Sequence, residues 1–195
     1  IYVASMHNTM LFFTEKGRCY WLKVYAIPEG TRASKGRAIQ NVIQIEPDDA
    51  VRAYINVRRL DDREYVTSNY IIMCTKAGIV KKTLLEAYSR PRQNGVNAIT
   101  IKEGDQLIEA KLTSGDSEVL LAAKEGKAIR FNEKAVRPIG RTGAGVKGIT
   151  IDGDDEVVGM ICVEKDRKED ILVVSEHGYG KRTDLDDYRI TNRGG

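Results

Sequence analysis

Apolar residues in this chain come in short bursts. Met10-Leu-Phe-Phe, Tyr70-Ile-Ile-Met, Val119-Leu-Leu-Ala and Ile171-Leu-Val-Val each end at a turn signal. Bursts of this length, rich in β-branched and aromatic types, predict strands and not helices. Helical periodicity is scarce, and residues 84–88 and 184–188 each predict a single turn.

A four-residue turn ending in glycine follows every burst: Thr14-Glu-Lys-Gly17, Thr75-Lys-Ala-Gly78, Ala123-Lys-Glu-Gly126 and Ser175-Glu-His-Gly178. A second short strand comes next, so each pair predicts a hairpin. Further glycines recur downstream at Gly36, Gly95 and Gly145, and Gly194 is expected to fill the matching place of the fourth unit. Ile43-Gln-Ile, Ile99-Thr-Ile and Ile149-Thr-Ile then predict a third strand before an acidic turn, and residues 51–57, 107–112 and 157–163 a fourth. The units are 1–66, 67–115, 116–166 and an incomplete 167–195, each complete one being about 50 residues. One four-stranded sheet cannot bury both its faces, but sheets repeated radially cover one another. The expected fold is all-β, a propeller-like array of four-stranded blades, present as an incomplete set.

Gly143-Ala-Gly145-Val-Lys-Gly148 matches G-x-G-x-x-G. A dinucleotide fingerprint must follow a buried strand and open a helix, whose N-terminus binds the pyrophosphate. Here Ile149-Thr-Ile-Asp-Gly follows instead, a strand and a turn. The motif reads as the third copy of a repeated loop, and no Walker A loop occurs.

Charge sharpens the picture. The chain is 42% hydrophobic and 30% charged with a net charge of +3, a globular composition with a mild excess of bases. That mild excess hides segregation. The loops after each second strand carry Arg32, Lys35 and Arg37; Arg90 and Arg92; Arg137, Arg141 and Lys147; and Arg189 and Arg193, ten bases against Glu29 alone. Five other turns hold 14 carboxylates against Arg63 alone. On the second strands, Lys81, Lys82, Arg130, Lys181 and Arg182 lie three or four residues past their anchor glycines, where an outward orientation would extend the basic stripe. Basic loops containing Gly36, Gly95, Gly143, Gly145, Gly148 and Gly194 suit a phosphate backbone, since glycine lets main-chain N–H groups approach it. No base-reading helix, zinc finger or aromatic RNA-binding pair is present, so binding is expected to be sequence-neutral.

Cys19, Cys74 and Cys162 are odd in number, far apart and set in apolar runs, as reduced core cysteines are. His7 and His177 have no nucleophile setting around them. No catalytic or metal-binding set emerges, and Asp152-Gly-Asp-Asp-Glu reads as a hairpin turn. No apolar run is long enough to span a membrane. Ile1-Tyr-Val-Ala starts in the manner of a strand, without a signal peptide, as a piece of a longer chain would.

Gly17-Arg-Cys-Tyr-Trp-Leu-Lys-Val-Tyr-Ala-Ile-Pro, Thr31-Arg-Ala-Ser-Lys-Gly-Arg, Gly126-Lys-Ala-Ile-Arg-Phe, Gly145-Val-Lys-Gly-Ile and Gly178-Tyr-Gly-Lys-Arg-Thr carry a closer resemblance. Through them the chain resembles the C-terminal domain of the DNA gyrase A protein along nearly its whole length. The resemblance implies a β-pinwheel whose blades exchange strands, and double-stranded DNA wrapped on a basic outer rim. It implies a bacterial cytoplasmic, nucleoid-associated enzyme that introduces negative supercoils. Its partners would be the gyrase B protein and another copy of gyrase A in a heterotetramer, and ATP and Mg2+ would be bound outside this segment. The family's gyrase box, Gln-Arg-Arg-Gly-Gly-Lys-Gly, does not occur here; the family places it upstream, and residues 32–37 and 192–195 look like related loops. Two alternatives stay open: the corresponding domain of topoisomerase IV, and a propeller-type scaffold for protein partners.

Overall fold

The structure is a computed structural model and describes residues 2–195. In chain order its strands are β1 (Thr9–Thr14), β2 (Arg18–Lys23), β3 (Val51–Val57), β4 (Tyr70–Thr75), β5 (Ile79–Leu84), β6 (Val96–Asn97), β7 (Leu107–Thr113), β8 (Ser117–Ala123), β9 (Ala128–Asn132), β10 (Val146–Lys147), β11 (Val157–Glu164), β12 (Asp170–Val174) and β13 (Gly180–Asp184). They form four antiparallel sheets, ordered β3-β1-β2-β6, β10-β5-β4-β7, β11-β8-β9 and β12-β13.

Each sheet is built on one hairpin, and the hairpin turn is the same in all four. The amides of Gly17, Gly78, Gly126 and Gly178 donate to the carbonyls of Thr14, Thr75, Ala123 and Ser175 at 2.9, 3.0, 3.1 and 2.9 Å. The long third strand of each of the first three sheets then returns beside the hairpin's first strand. β3, β7 and β11 pack side by side, so in these three sheets this edge faces inward and the opposite edge faces outward.

The strands of the second and third sheets have no polar face because each of these sheets lies between two neighbours. Successive side chains of a strand point to opposite faces. Ile71 and Met73 of β4 accordingly pack with Leu11, Phe13 and Ile55 of the first sheet. Ile72 and Cys74, one residue out of step, pack with Val119, Leu121 and Phe131 of the third. Leu120 of β8 turns the other way and meets Ile171 and Leu185 of the fourth. This is why the bursts are continuous and not alternating.

The predicted third strand of each repeat is not a strand. Residues 43–45, 99–101 and 149–151 are irregular. The fourth strand of a sheet is instead two residues lent by the next repeat, β6 pairing with β2 and β10 with β5. Ile99 and Ile149 serve as plugs, buried against the preceding hairpin turn. The Gly17 carbonyl accepts from Ala98 and Ile99, and the Gly78 carbonyl from Gly148 and Ile149.

Single-turn 3-10 helices stand at Leu85–Tyr88 and Leu185–Asp187 as the sequence predicts, and the same turn recurs at Glu133–Ala135. One short helix is unforeseen: α1 (Arg63–Ser68), with Asp62 accepting from the Tyr65 amide at its N-terminus and Val66 buried.

Candidate nucleic-acid interface

Three of the basic loops run along outward sheet edges, beside β2, β5 and β9, while loop 28–41 lies over the face of the first sheet near Phe12 and Leu22. Loop 137–148 runs along β5 of the preceding sheet. Its Ile139 amide donates to Lys82 O at 2.9 Å, Val146 and Lys147 pair with Val80 and Ile79, and Gly148 closes on Gly78 O at 2.8 Å. The last loop follows the same path one sheet later, Thr191 donating to Arg130 O at 2.8 Å. The bridges Lys82–Pro138 and Arg130–Ile190 align the two loops residue for residue. Arg189 therefore stands where Arg137 does, and Arg193 where Arg141 does. Gly194 consequently matches Thr142 and not Gly145, which corrects the sequence alignment. Thr100 and Thr150 confirm this offset, their hydroxyls donating to the carbonyls of Thr142 and Gly194 at 2.7 and 2.6 Å.

Arg32, Lys35, Arg37, Arg90, Arg92, Arg137, Lys147 and Arg189 are exposed on these loops, with Arg141 and Arg193 half-buried. Lys181 and Arg182 are exposed on β13, and Arg182 pairs with Asp170 at 3.2 Å. None of the ten loop bases forms an ion pair with another described residue. Lysines at the hairpin turns differ: Lys16 pairs with Glu46 and Asp48, Lys76 with Glu156, and Lys127 with Asp152. The acidic turns thus neutralise the hairpin ends, while the outer loops keep their charge. One carboxylate in three of the five acidic turns also holds a neighbouring hairpin: Asp49, Asp105 and Asp155 accept from the turn amides of Lys16, Ala77 and Glu125.

Three basic residues are not where the sequence reading put them. Lys81, Lys82 and Arg130 are 0%, 4% and 7% exposed and face inward between sheets. Lys82 Nζ donates to Glu133 O at 2.9 Å and lies 3.6 Å from the buried Glu133 carboxylate. Arg130 bonds the carbonyls of Leu185 and Tyr188 at 2.7 and 3.0 Å and pairs with Glu118. In the first repeat Trp21 holds the matching place, and its Nε1 donates to Tyr88 O at 2.9 Å. All three side chains tie their sheet to the 3-10 turn of the next one. A buried cation needs such partners. Lys81 donates to the carbonyls of Ala98 and Arg141.

The loop glycines also serve packing more than ligand approach. A Cβ on Gly148 would lie 2.3 Å from Val80 Cγ2, and one on Gly145, at φ +94°, 2.7 Å from Val80 O. One on Gly95 would meet Tyr20 at 2.6 Å. These residues let the main chain lie flat against the preceding sheet. Gly143 is crowded by Ile139, whereas Gly36 and Gly194 have open space around them.

Burial pushes the Cys19 and Cys74 thiols far up and the Cys162 thiol up to about 12. All three cysteines are free thiols.

Comparison with known proteins decides the kinship. The family described as DNA gyrase C-terminal domain, beta-propeller, matches residues 8–68, 69–114, 117–164 and 169–195. The chain belongs to this family. A DNA gyrase A protein of Staphylococcus aureus is 44% identical over 191 residues, which are 98% of this chain and 21% of that protein. This chain thus spans about a fifth of the length of such a relative. Among solved structures, the C-terminal domain of DNA topoisomerase IV superposes with a TM-score of 0.84 at 27% identity, over 97% of this chain and 57% of that one. A DNA gyrase A C-terminal domain follows at TM-score 0.79 and 23% identity, over 98% and 59%. Both likenesses support the propeller architecture.

Proposed function

We propose that this domain binds double-stranded DNA without sequence preference and bends it around the outward edges of its sheets. The observation that carries the reading is the row of exposed cations on the outer-edge loops, Arg90, Arg92, Arg137, Lys147 and Arg189, none of them paired with a carboxylate among the described residues. Such cations gain by neutralising phosphates and releasing counterions. Nothing on these loops reads base edges, so the preference is for bendable duplex. Kinship with the DNA gyrase A protein supports the wider role. In that role the wrap presents one DNA segment with a fixed handedness to an ATP-driven type II topoisomerase. Gyrase B, another copy of gyrase A, ATP and Mg2+ would then act outside this domain.

Reversal of Arg137 and Lys147 to Glu, read by fluorescence anisotropy on a ~40 bp duplex against salt, tests the reading. Each lost phosphate contact lowers the slope of log K against log salt by roughly 0.9. Unchanged affinity and slope contradict an outer binding rim. A second reading, the corresponding domain of topoisomerase IV, is favoured by the 0.84 TM-score. Supercoiling of relaxed circles by the whole enzyme supports the gyrase reading. Decatenation without supercoiling supports topoisomerase IV.

A further inference from the structure

Lys81 is the basic residue whose place is hardest to explain by packing alone. It sits in the middle of β5, fully buried, opposite Met73. The matching residues of the first and third repeats are Tyr20 and Ile129, neither of which brings a charge into the sheet interface. Its ammonium bonds two carbonyls from two different repeats, Ala98 at 2.6 Å and Arg141 in the middle of loop 137–148. Arg141 is half-exposed, and its positive charge works against the ammonium that its carbonyl holds.

We propose that Lys81 is a positioning residue for the phosphate-binding loop, holding the Arg141 main chain from beneath, and that a phosphate arriving at Arg141 is felt at Lys81 as relief of charge repulsion. Binding then draws a proton onto Lys81. This rests on the reading of loop 137–148 as a DNA contact. Lys81 itself touches no ligand.

The groups around the ammonium leave it as the one that titrates in the relevant range. Desolvation, with Arg141 second, lowers Lys81 to about 8. Arg141 meets it from the loop through its main-chain carbonyl. Tyr88 reaches the same Ala98 carbonyl from the 3-10 turn at 3.5 Å, and Cys19 lies beside them on β2. Burial raises both Tyr88 and Cys19 far above their ordinary values, so both stay neutral from pH 7.5 to 9.5. A phosphate near Arg141 offsets its positive field and restores part of the ammonium's affinity for a proton.

The test uses this domain and a duplex of ~40 bp. Wild-type affinity should fall about twofold to sixfold between pH 7.5 and 9.5, a shift of roughly half to one unit at Lys81. Calorimetric titration at pH 8 in two buffers of different ionisation enthalpy should show net proton uptake. Lys81→Arg, which keeps the charge and does not titrate, should abolish both effects. Lys81→Met should abolish them too and speed amide exchange at residues 143–147 by about tenfold, the worth of a charge-assisted hydrogen bond. Exchange is measured without DNA, so it separates the two readings. Unchanged loop exchange in Lys81→Met overturns the positioning role whatever DNA does. Absence of proton uptake by a wild type that does bind DNA overturns the coupling even if neither variant folds. A wild type that binds no duplex sinks the DNA reading instead, and the exchange result still decides whether Lys81 holds the loop.

Discussion

Gly148 and Lys81 show how little room a single residue has in this array. With Val80 Cγ2 2.3 Å from where a Cβ would stand, Gly148→Ala must push two sheets apart. Overpacking of this kind costs about 1–3 kcal/mol, measurable as a lower urea midpoint at unchanged m-value. Lys81 gives a pH signature of its own. Its folded-state value is lowered to about 8 from 10.5, so between those limits the unfolded chain binds more protons than the folded one. Fold stability therefore rises with pH across that window, on the order of 3 kcal/mol at full effect. Urea midpoints at pH 8 and pH 10 check this, and Lys81→Met should flatten the rise. Affinity for duplex should move the opposite way over the same range, which separates coupling at the loop from general loosening of the fold.

At the scale of elements, the hairpins were legible because their signal is local. A burst, a four-residue turn and a glycine with positive φ suffice to specify each one. The lent strands were not legible. Val96–Asn97 and Val146–Lys147 are two residues long, and their partners belong to another repeat. Ile99-Thr-Ile and Ile149-Thr-Ile have strand-like composition, yet Ile99 and Ile149 are used as plugs. The inter-sheet ties were hidden for a related reason: Trp21, Lys82 and Arg130 share a position but not a chemistry. What they share is a donor reaching the next 3-10 turn, which only the three-dimensional register reveals. The Lys82 tie should be costly to cut. Lys82→Met leaves the Glu133 carboxylate buried with only Thr113 and Ser117 to satisfy it, at about 3–5 kcal/mol. Adding Glu133→Gln should recover a large part of that loss in thermal or urea unfolding, as removal of both charges does for a buried pair.

Over the whole molecule, the segregation of charge was readable as soon as the repeat was aligned, because equivalent loops must occupy equivalent edges. Its division of labour was not. The sequence reading placed Lys81, Lys82 and Arg130 on the rim, but the structure buries them as fasteners and leaves the rim to loop residues such as Arg137, Lys147 and Arg189. The acidic turns have a structural duty too, since Asp49, Asp105 and Asp155 each hold a hairpin. An array with neutralised hairpin ends and a bare cationic edge should bind duplex with a steep salt dependence and little dependence on sequence. Wrapping is the claim on which the proposed function depends, and it has a topological readout. A nicked circle sealed by ligase in the presence of the domain, then freed of protein, should show a linking-number distribution displaced from that of the same circle sealed alone. Coincident distributions at protein concentrations that saturate the circle contradict wrapping around the rim.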